Sequence, residues 1–241
     1  MDFTIRSEML LGSACLEKLA HSSVAIFGLG GVGGASVEAL ARAGVGEFHL
    51  IDPDEFNLSN LNRQILSSRK TIGRPKVEVA KERILDINPD AKVFTYPVFY
   101  LPDEDGGVDF SRFDYVIDAI DTVTAKVEII RRCNELGIGI ISCMGCGNRL
   151  DPSKLAVTDL FKTEGDPLSK VMRQKCRALG IKKLKVVYST EEPLTPAFKI
   201  ESDSPTRRDV PGSTPFVPPV AGYLLAKEAV LDLTGFDPKK Q

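Results

Sequence analysis

The chain contains no tryptophan and only two histidines, His21 and His49, among its 241 residues. It also lacks any run of about 18 apolar residues, so no transmembrane helix is expected. The opening Met1-Asp2-Phe3-Thr4-Ile5-Arg6 carries no apolar stretch of signal-peptide length. These absences point to a cytoplasmic protein. Its five cysteines, Cys15, Cys133, Cys143, Cys146 and Cys176, are odd in number and scattered, which speaks against a disulfide framework. Cys143 and Cys146 have C-x-x-C spacing, but no second pair and no histidine cluster completes four ligands, so no zinc is expected. The bland reading of these two cysteines is small side chains at a strand end.

A hydrophobic content of 43% and a mean hydropathy of -0.05 are those of an ordinary globule with a substantial core. The net charge of -2 argues against coating of nucleic acid by bulk electrostatics. The charges are nevertheless uneven. Lys170, Arg173, Lys175, Arg177, Lys182, Lys183 and Lys185 follow one another with no acid between them. That run reads either as a solvated face or as a local contact to a phosphate backbone.

Strand and helix signals alternate along the first part of the chain: strand near 24–28, helix 33–43, strand 47–52, helix 75–87, strands 92–98 and 114–120, helix 123–136 and strand 138–143. The alternation predicts right-handed βαβ units, hence an α/β, Rossmann-like, mainly parallel sheet with helices on both faces. Beyond it come a strand at 155–161, a helix at 167–179, a strand at 184–189, a Pro-, Ser- and Thr-rich segment at 191–211 read as a mobile loop, and a helix at 220–233. With no linker in sight, residues 1–241 read as one domain: a nucleotide-binding core at about 20–150 and an α+β extension at about 151–241.

The core opens on Val24-Ala25-Ile26-Phe27-Gly28-Leu29-Gly30-Gly31-Val32-Gly33-Gly34, a β-branched strand feeding a G-x-G-x-x-G turn and a helix of small residues. Gly28, Gly30, Gly31 and Gly33 allow tight turning and close backbone approach, and the helix N-terminus offers N–H groups to phosphate. Asp52 ends the next strand, where it can accept from a ribose hydroxyl. A redox dinucleotide would satisfy these residues alone.

The residues after Asp52 fit polyphosphate chemistry better. Asn60, Arg63 and Gln64 lie just beyond it, and Arg74-Pro75-Lys76 opens a helix with Val77, Ala80, Ile84 and Ile87 as its apolar stripe. Lys76 is then a cation at a positive helix end, a conflict that an anion beside it would relieve. Arg63 as a rigid fork and Lys76 as a movable point charge suit a polyphosphate losing pyrophosphate, a step no dehydrogenase needs. Asp121, at the end of the fourth strand, reads as a magnesium-bridging carboxylate or as the N-cap of the helix at 123–136, and Asp118 as a packing or capping group.

Taken together, the glycine turn, Asp52, the Ser59-Asn60-Leu61-Asn62-Arg63-Gln64 stretch, Arg74-Pro75-Lys76 and Ala119-Ile120-Asp121 resemble the E1-like adenylating enzymes, which activate carboxylates with ATP. The resemblance implies that Gly31, Asp52, Asn60, Arg63, Lys76 and Asp121 bind ATP and its magnesium, and that Arg6 acts across a homodimer. Ser142-Cys143-Met144-Gly145-Cys146-Gly147-Asn148-Arg149-Leu150-Asp151-Pro152, with Gly180 to Ser189 and Pro211 to Pro218, is similar to the branch of tRNA threonylcarbamoyladenosine dehydratases. Phe3 stands where that branch often has arginine, and Cys143 and Cys146 replace residues that are commonly small and sulfur-free.

That branch implies a substrate carboxylate on N6-threonylcarbamoyladenosine in a tRNA anticodon loop, adenylation, and closure by the modification's own carbamoyl group. It makes Arg173, Lys175, Arg177, Lys182, Lys183 and Lys185, with Arg207 and Arg208, the expected tRNA surface. The alternative is adenylation of the C-terminal glycine of a ubiquitin-like or sulfur-carrier protein, with Cys176 as thiol partner; a sulfur-transfer partner stays open.

Overall fold

The computed structural model describes residues 3–102, 106–200 and 210–239. Seven strands among them, β1 Ser23–Phe27, β2 Glu47–Ile51, β3 Lys92–Tyr96, β4 Tyr115–Asp118, β5 Gly139–Cys143, β6 Leu155–Asp159 and β7 Lys185–Ser189, form one sheet. The order is β3-β2-β1-β4-β5-β7-β6, and every neighbouring pair is parallel except β6 with β7. The Rossmann-like α/β expectation holds. Strand order reverses between β1 and β4, and such a switch point opens a crevice at the carboxyl ends of the strands.

Side chains of β1 alternate between two cores, as the pleat requires. Val24 and Ile26 pack with Val37 and Leu40 of helix α3 (Gly33–Ala43), Val77 and Ile84 of α4 (Lys76–Ile87), and Leu225 of α7 (Val217–Thr234). Ala25 and Phe27 face the other way, toward Phe110, Phe113 and the buried Ala125 and Ile129 of α5 (Val123–Leu136). A third cluster joins α5 to α6 (Pro167–Ala178) through Ile130, Met172 and Cys176. The extension beyond residue 151 thus adds β6 and β7 to the same sheet, and α7 to the same core as α3.

Helices 33–43 and 123–136 fall where the sequence puts them; other boundaries shift for identifiable reasons. Helix α7 starts at Val217 because Pro218 and Pro219 sit in its first turn, where a missing N–H costs nothing. Strand β4 stops at Asp118, since residues 119–121 leave the sheet to line the crevice. Strand β6 stops at Asp159, whose carboxylate accepts from the Phe161 N–H at 2.8 Å and caps a one-turn helix, Leu160–Lys162. Two N-terminal helices, α1 Ile5–Leu11 and α2 Ser13–Ala20, gave no clear sequence signal. They are short, they break at Gly12 with φ +80°, and α1 buries no residue.

Helix α7 crosses α3 at Gly222, where the Ser36 hydroxyl donates to the Gly222 carbonyl at 3.0 Å. A Cβ at position 222 would lie 2.1 Å from the Val32 carbonyl oxygen and 2.8 Å from the Ala35 Cβ. The two helices cannot part without opening the core they share. Gly222→Ala is therefore expected to lower unfolding free energy by about 1–3 kcal/mol, the usual cost of overpacking. Urea titration measures this, and an unchanged midpoint would contradict so tight a crossing.

Candidate functional site

A cavity of about 650 Å³ opens at the switch point between β1 and β4. Gly28, which follows β1, adopts φ +86°, and a Cβ there would meet the Ala119 carbonyl oxygen at 2.9 Å. Gly30 and Gly31 line the cavity; Gly33 does not. Its part is to let α3 start hard against the turn, where a Cβ would lie 1.8 Å from the Gly28 carbonyl oxygen.

Asp52 is placed by the backbone of that turn. Its Oδ2 accepts from the Leu29 N–H at 2.6 Å and its Oδ1 from the Asp54 N–H at 2.9 Å. Burial pushes its carboxyl above the usual range, against the opposing pull of the Lys76 ammonium and the two N–H groups.

Asn60, Arg63, Gln64 and Lys76 join Asp52 around the cavity. Asn60 is held by a reciprocal cap with Asn57, whose N–H donates to Asn60 Oδ1 at 3.1 Å. Arg63 Nη1 donates to the Ser59 carbonyl at 3.1 Å and to Asn62 Oδ1 at 2.9 Å. Partial burial lowers the Arg63 pKa, a guanidinium still fully charged near neutral pH. The Oε1 of Gln64 is buried without a hydrogen-bond partner among the described residues. Lys76 begins α4 as the sequence predicts, and the conflict with the helix dipole is relieved within the protein. Its Nζ lies 2.6 Å from Asp54 Oδ2 and 3.5 Å from Asp52 Oδ1. Asp54 is a participant that sequence reasoning passed over, although it stands only two residues beyond Asp52.

Asp121 lies past the end of β4, exposed and on the cavity wall. It is not the N-cap of α5: that position belongs to Thr122, with no side-chain capping bond. The chain between them is anchored from below. Lys126 and Asp118 are wholly buried 2.9 Å apart, the Lys126 ammonium also donates to the Ile120 carbonyl at 3.0 Å, and the Ser142 hydroxyl donates to Asp118 at 2.5 Å. Asp118 is a packing group, as its strand position suggests.

The remaining predicted residues lie elsewhere. Arg6 is exposed on α1 and does not line this cavity. Helix α6 carries Arg173, Lys175 and Arg177, with Lys182 and Lys183 exposed in the following loop. Three of the six cations have internal partners: Lys185 pairs with Glu228 at 3.1 Å and Asp232 at 2.7 Å, Arg173 donates to Thr163, and the Arg177 guanidinium sits 5.5 Å from the Phe161 ring centre. Arg207 and Arg208 lie outside the described residues. Cys143 and Cys146 come together on the cavity wall, with sulfurs 3.4 Å apart. Cys176 is buried, and burial pushes its thiol up to about 11, which leaves little thiolate near neutral pH.

Arg149, which belongs to the Ser142 to Pro152 motif, is 3% exposed on the same wall. It pairs with Asp166 at 3.4 Å and keeps its Nε and Nη1 without a partner among the described residues.

The ThiF family profile matches residues 5–241. The chain belongs to the ThiF family. It is 39% identical over 236 residues to the tRNA threonylcarbamoyladenosine dehydratase of Bacillus subtilis, covering 95% of this chain and 93% of that one. Its fold is similar to the solved E. coli tRNA N6-threonylcarbamoyladenosine dehydratase with AMP (TM-score 0.84, 33% identity) and with ATP (TM-score 0.83, 32% identity), each covering 95% of this chain and 93% of the other. This ThiF-family chain thus places its cavity where the fold's crevice lies, with its floor held by the Asp118–Lys126 pair.

Removing one partner of that pair leaves an uncompensated buried charge. Lys126→Met is expected to cost about 3–5 kcal/mol of stability, and Asp118→Asn in the same chain to recover most of it. Chemical denaturation of the wild type, the two single variants and the double variant checks this; additive losses would contradict the coupling.

Proposed function

We propose that this protein catalyses the ATP-dependent cyclising dehydration of N6-threonylcarbamoyladenosine in tRNA. The observation carrying the reading is the convergence of a glycine turn, a buried carboxylate and two cations on one cavity, in a chain similar over 95% of its length to a tRNA threonylcarbamoyladenosine dehydratase. Gly28, Gly30 and Gly31 bring backbone close to the phosphates, Asp52 accepts from the ATP ribose, and Asn60 and Gln64 complete the wall. Arg63 and Lys76 hold the polyphosphate while negative charge builds on the departing pyrophosphate. Asp121, the exposed carboxylate just past the end of β4, would hold a magnesium ion against the phosphates, and the ion would neutralise charge there.

The threonyl carboxylate attacks the α-phosphorus and pyrophosphate leaves. The carbamoyl group of the same modified base then closes on the activated carbonyl and releases AMP, for a net loss of one water. Because the nucleophile belongs to the substrate, the enzyme's task in the second step is to hold the reacting atoms together. The buried Cys176, with its raised thiol pKa, disfavours the sulfur-carrier alternative in which that cysteine accepts the acyl group.

The exposed cations Lys175, Lys182 and Lys183 form the surface proposed to meet the tRNA backbone, with Arg173 and Arg177 beside them. Arg6 fits a role across a homodimer: helix α1 exposes Met9 and Leu10 at 81% and 70%, with Phe3 at 51% just before it, an apolar face suited to a second copy. We place this chemistry in the cytoplasm.

Incubating tRNA that carries the modification with protein and ATP is expected to yield AMP and a nucleoside lighter by one water, read by mass spectrometry; unchanged nucleoside would contradict the proposal. Lys76→Ala and Arg63→Ala should each reduce product formation at least tenfold while tRNA affinity stays nearly constant, and parallel loss of both would refute their separate role. Affinity for tRNA should fall steeply between low and moderate salt, and a flat dependence would rule out the basic surface.

A further inference from the structure

The Cys143–Cys146 pair is not used by the proposed reaction. Cys143 ends β5 and is 3% exposed, while Cys146 is half-buried in the loop after it. Their sulfurs lie 3.4 Å apart on the cavity wall, and the other cysteines sit on α2, α5 and α6. A hydrogen bond to Cys146, together with burial, holds the Cys143 thiol well above the usual cysteine range. Both are free cysteines in this structure.

The backbone between and just after them has little slack. A Cβ at Gly145 would lie 2.7 Å from Asp166 Oδ1, and one at Gly147 would lie 2.7 Å from the Pro211 Cβ. Asn148 is tied to Gly212 by two 2.7 Å hydrogen bonds, one in each direction. Drawing the sulfurs together to about 2.05 Å would therefore pull on Asp166 and on residues 210–213, several of which also line the cavity.

We propose that Cys143 and Cys146 are a reversible redox-modification site, closed to an intramolecular disulfide by exchange with a small-molecule disulfide and thereby slowing turnover in the cavity. Cys146, the more accessible sulfur, attacks as thiolate one sulfur of a disulfide such as oxidised glutathione, forming a mixed disulfide and expelling one thiolate. Cys143, after losing its proton, attacks the Cys146 sulfur and expels the second thiolate. Two protein thiols lose two electrons and two protons, and the small disulfide becomes two thiols. Such transient pairs are the form that disulfides take in reducing compartments.

The test equilibrates the full-length protein in glutathione buffers of increasing oxidised fraction, then traps free thiols and reads mass. The expected product has lost two hydrogens from the tryptic peptide 133–149, with fragmentation placing the bond between Cys143 and Cys146 and not at Cys133. Turnover should drop at least fivefold and return with dithiothreitol. In Cys143→Ser the mixed glutathione adduct should accumulate on Cys146, and in Cys146→Ser the ratio of oxidised to reduced turnover should stay near one. A bond to Cys133, no bond at all, or unchanged turnover in the fully bonded protein would each overturn the proposal. The turnover reading rests on the proposed dehydration, whereas the mass reading does not, so failure of one is distinguishable from failure of the other.

Discussion

The site depends on one close approach, the Gly33 Cα against the Gly28 carbonyl, where a Cβ would stand 1.8 Å from the oxygen. That contact lets α3 begin directly over the end of β1, with Gly30, Gly31 and Val32, just before its first residue, lining the crevice. It also fixes the turn from which Leu29 donates to Asp52. On the far side of the same turn, Gly222 presses against the Val32 carbonyl, so α7 closes over α3 and the cavity is braced by the extension. A single methyl at either glycine would separate elements whose spacing defines the site.

Around that frame, buried cations are each matched by carboxylates: Lys76 with Asp52 and Asp54, Lys126 with Asp118, and Arg149 with Asp166. Buried pairs are weak evidence of stability, because desolvation offsets most of the attraction. Their value here lies in what each positions. Lys126 fixes the Ile120 carbonyl and with it the approach to Asp121. Lys76 is held by Asp54, whose side chain is 63% exposed against 6% for the lysine. Asp54 is thus the partner free to turn out to water, while the buried ammonium keeps Asp52 at 3.5 Å.

Much of this was legible because local chemistry forces it. A G-x-G-x-x-G turn after a β-branched strand has few alternatives, and the apolar periodicities of α3 and α5 set their boundaries without tertiary help. What escaped depends on distant partners. Helix α1 buries nothing and so leaves no apolar stripe to read. Asp54 looks like any loop acid until the fold brings Lys76 to it. Lys185 looks like one more member of a basic run until α7 supplies Glu228 and Asp232. The Cys143–Cys146 contact depends on how β5 runs into its loop, which C-x-x-C spacing permits without requiring.

The central claim is that this cavity joins a carboxylate to the α-phosphate of ATP, and an isotope label tracks that bond directly. With both oxygens of the threonyl carboxylate replaced by oxygen-18, adenylation followed by ring closure transfers one labelled oxygen into the AMP released. Mass spectrometry of that AMP should find one heavy oxygen per cyclised nucleoside. AMP carrying no label, or label appearing in inorganic phosphate with ADP as the nucleotide product, would contradict activation of the carboxylate as an acyl adenylate.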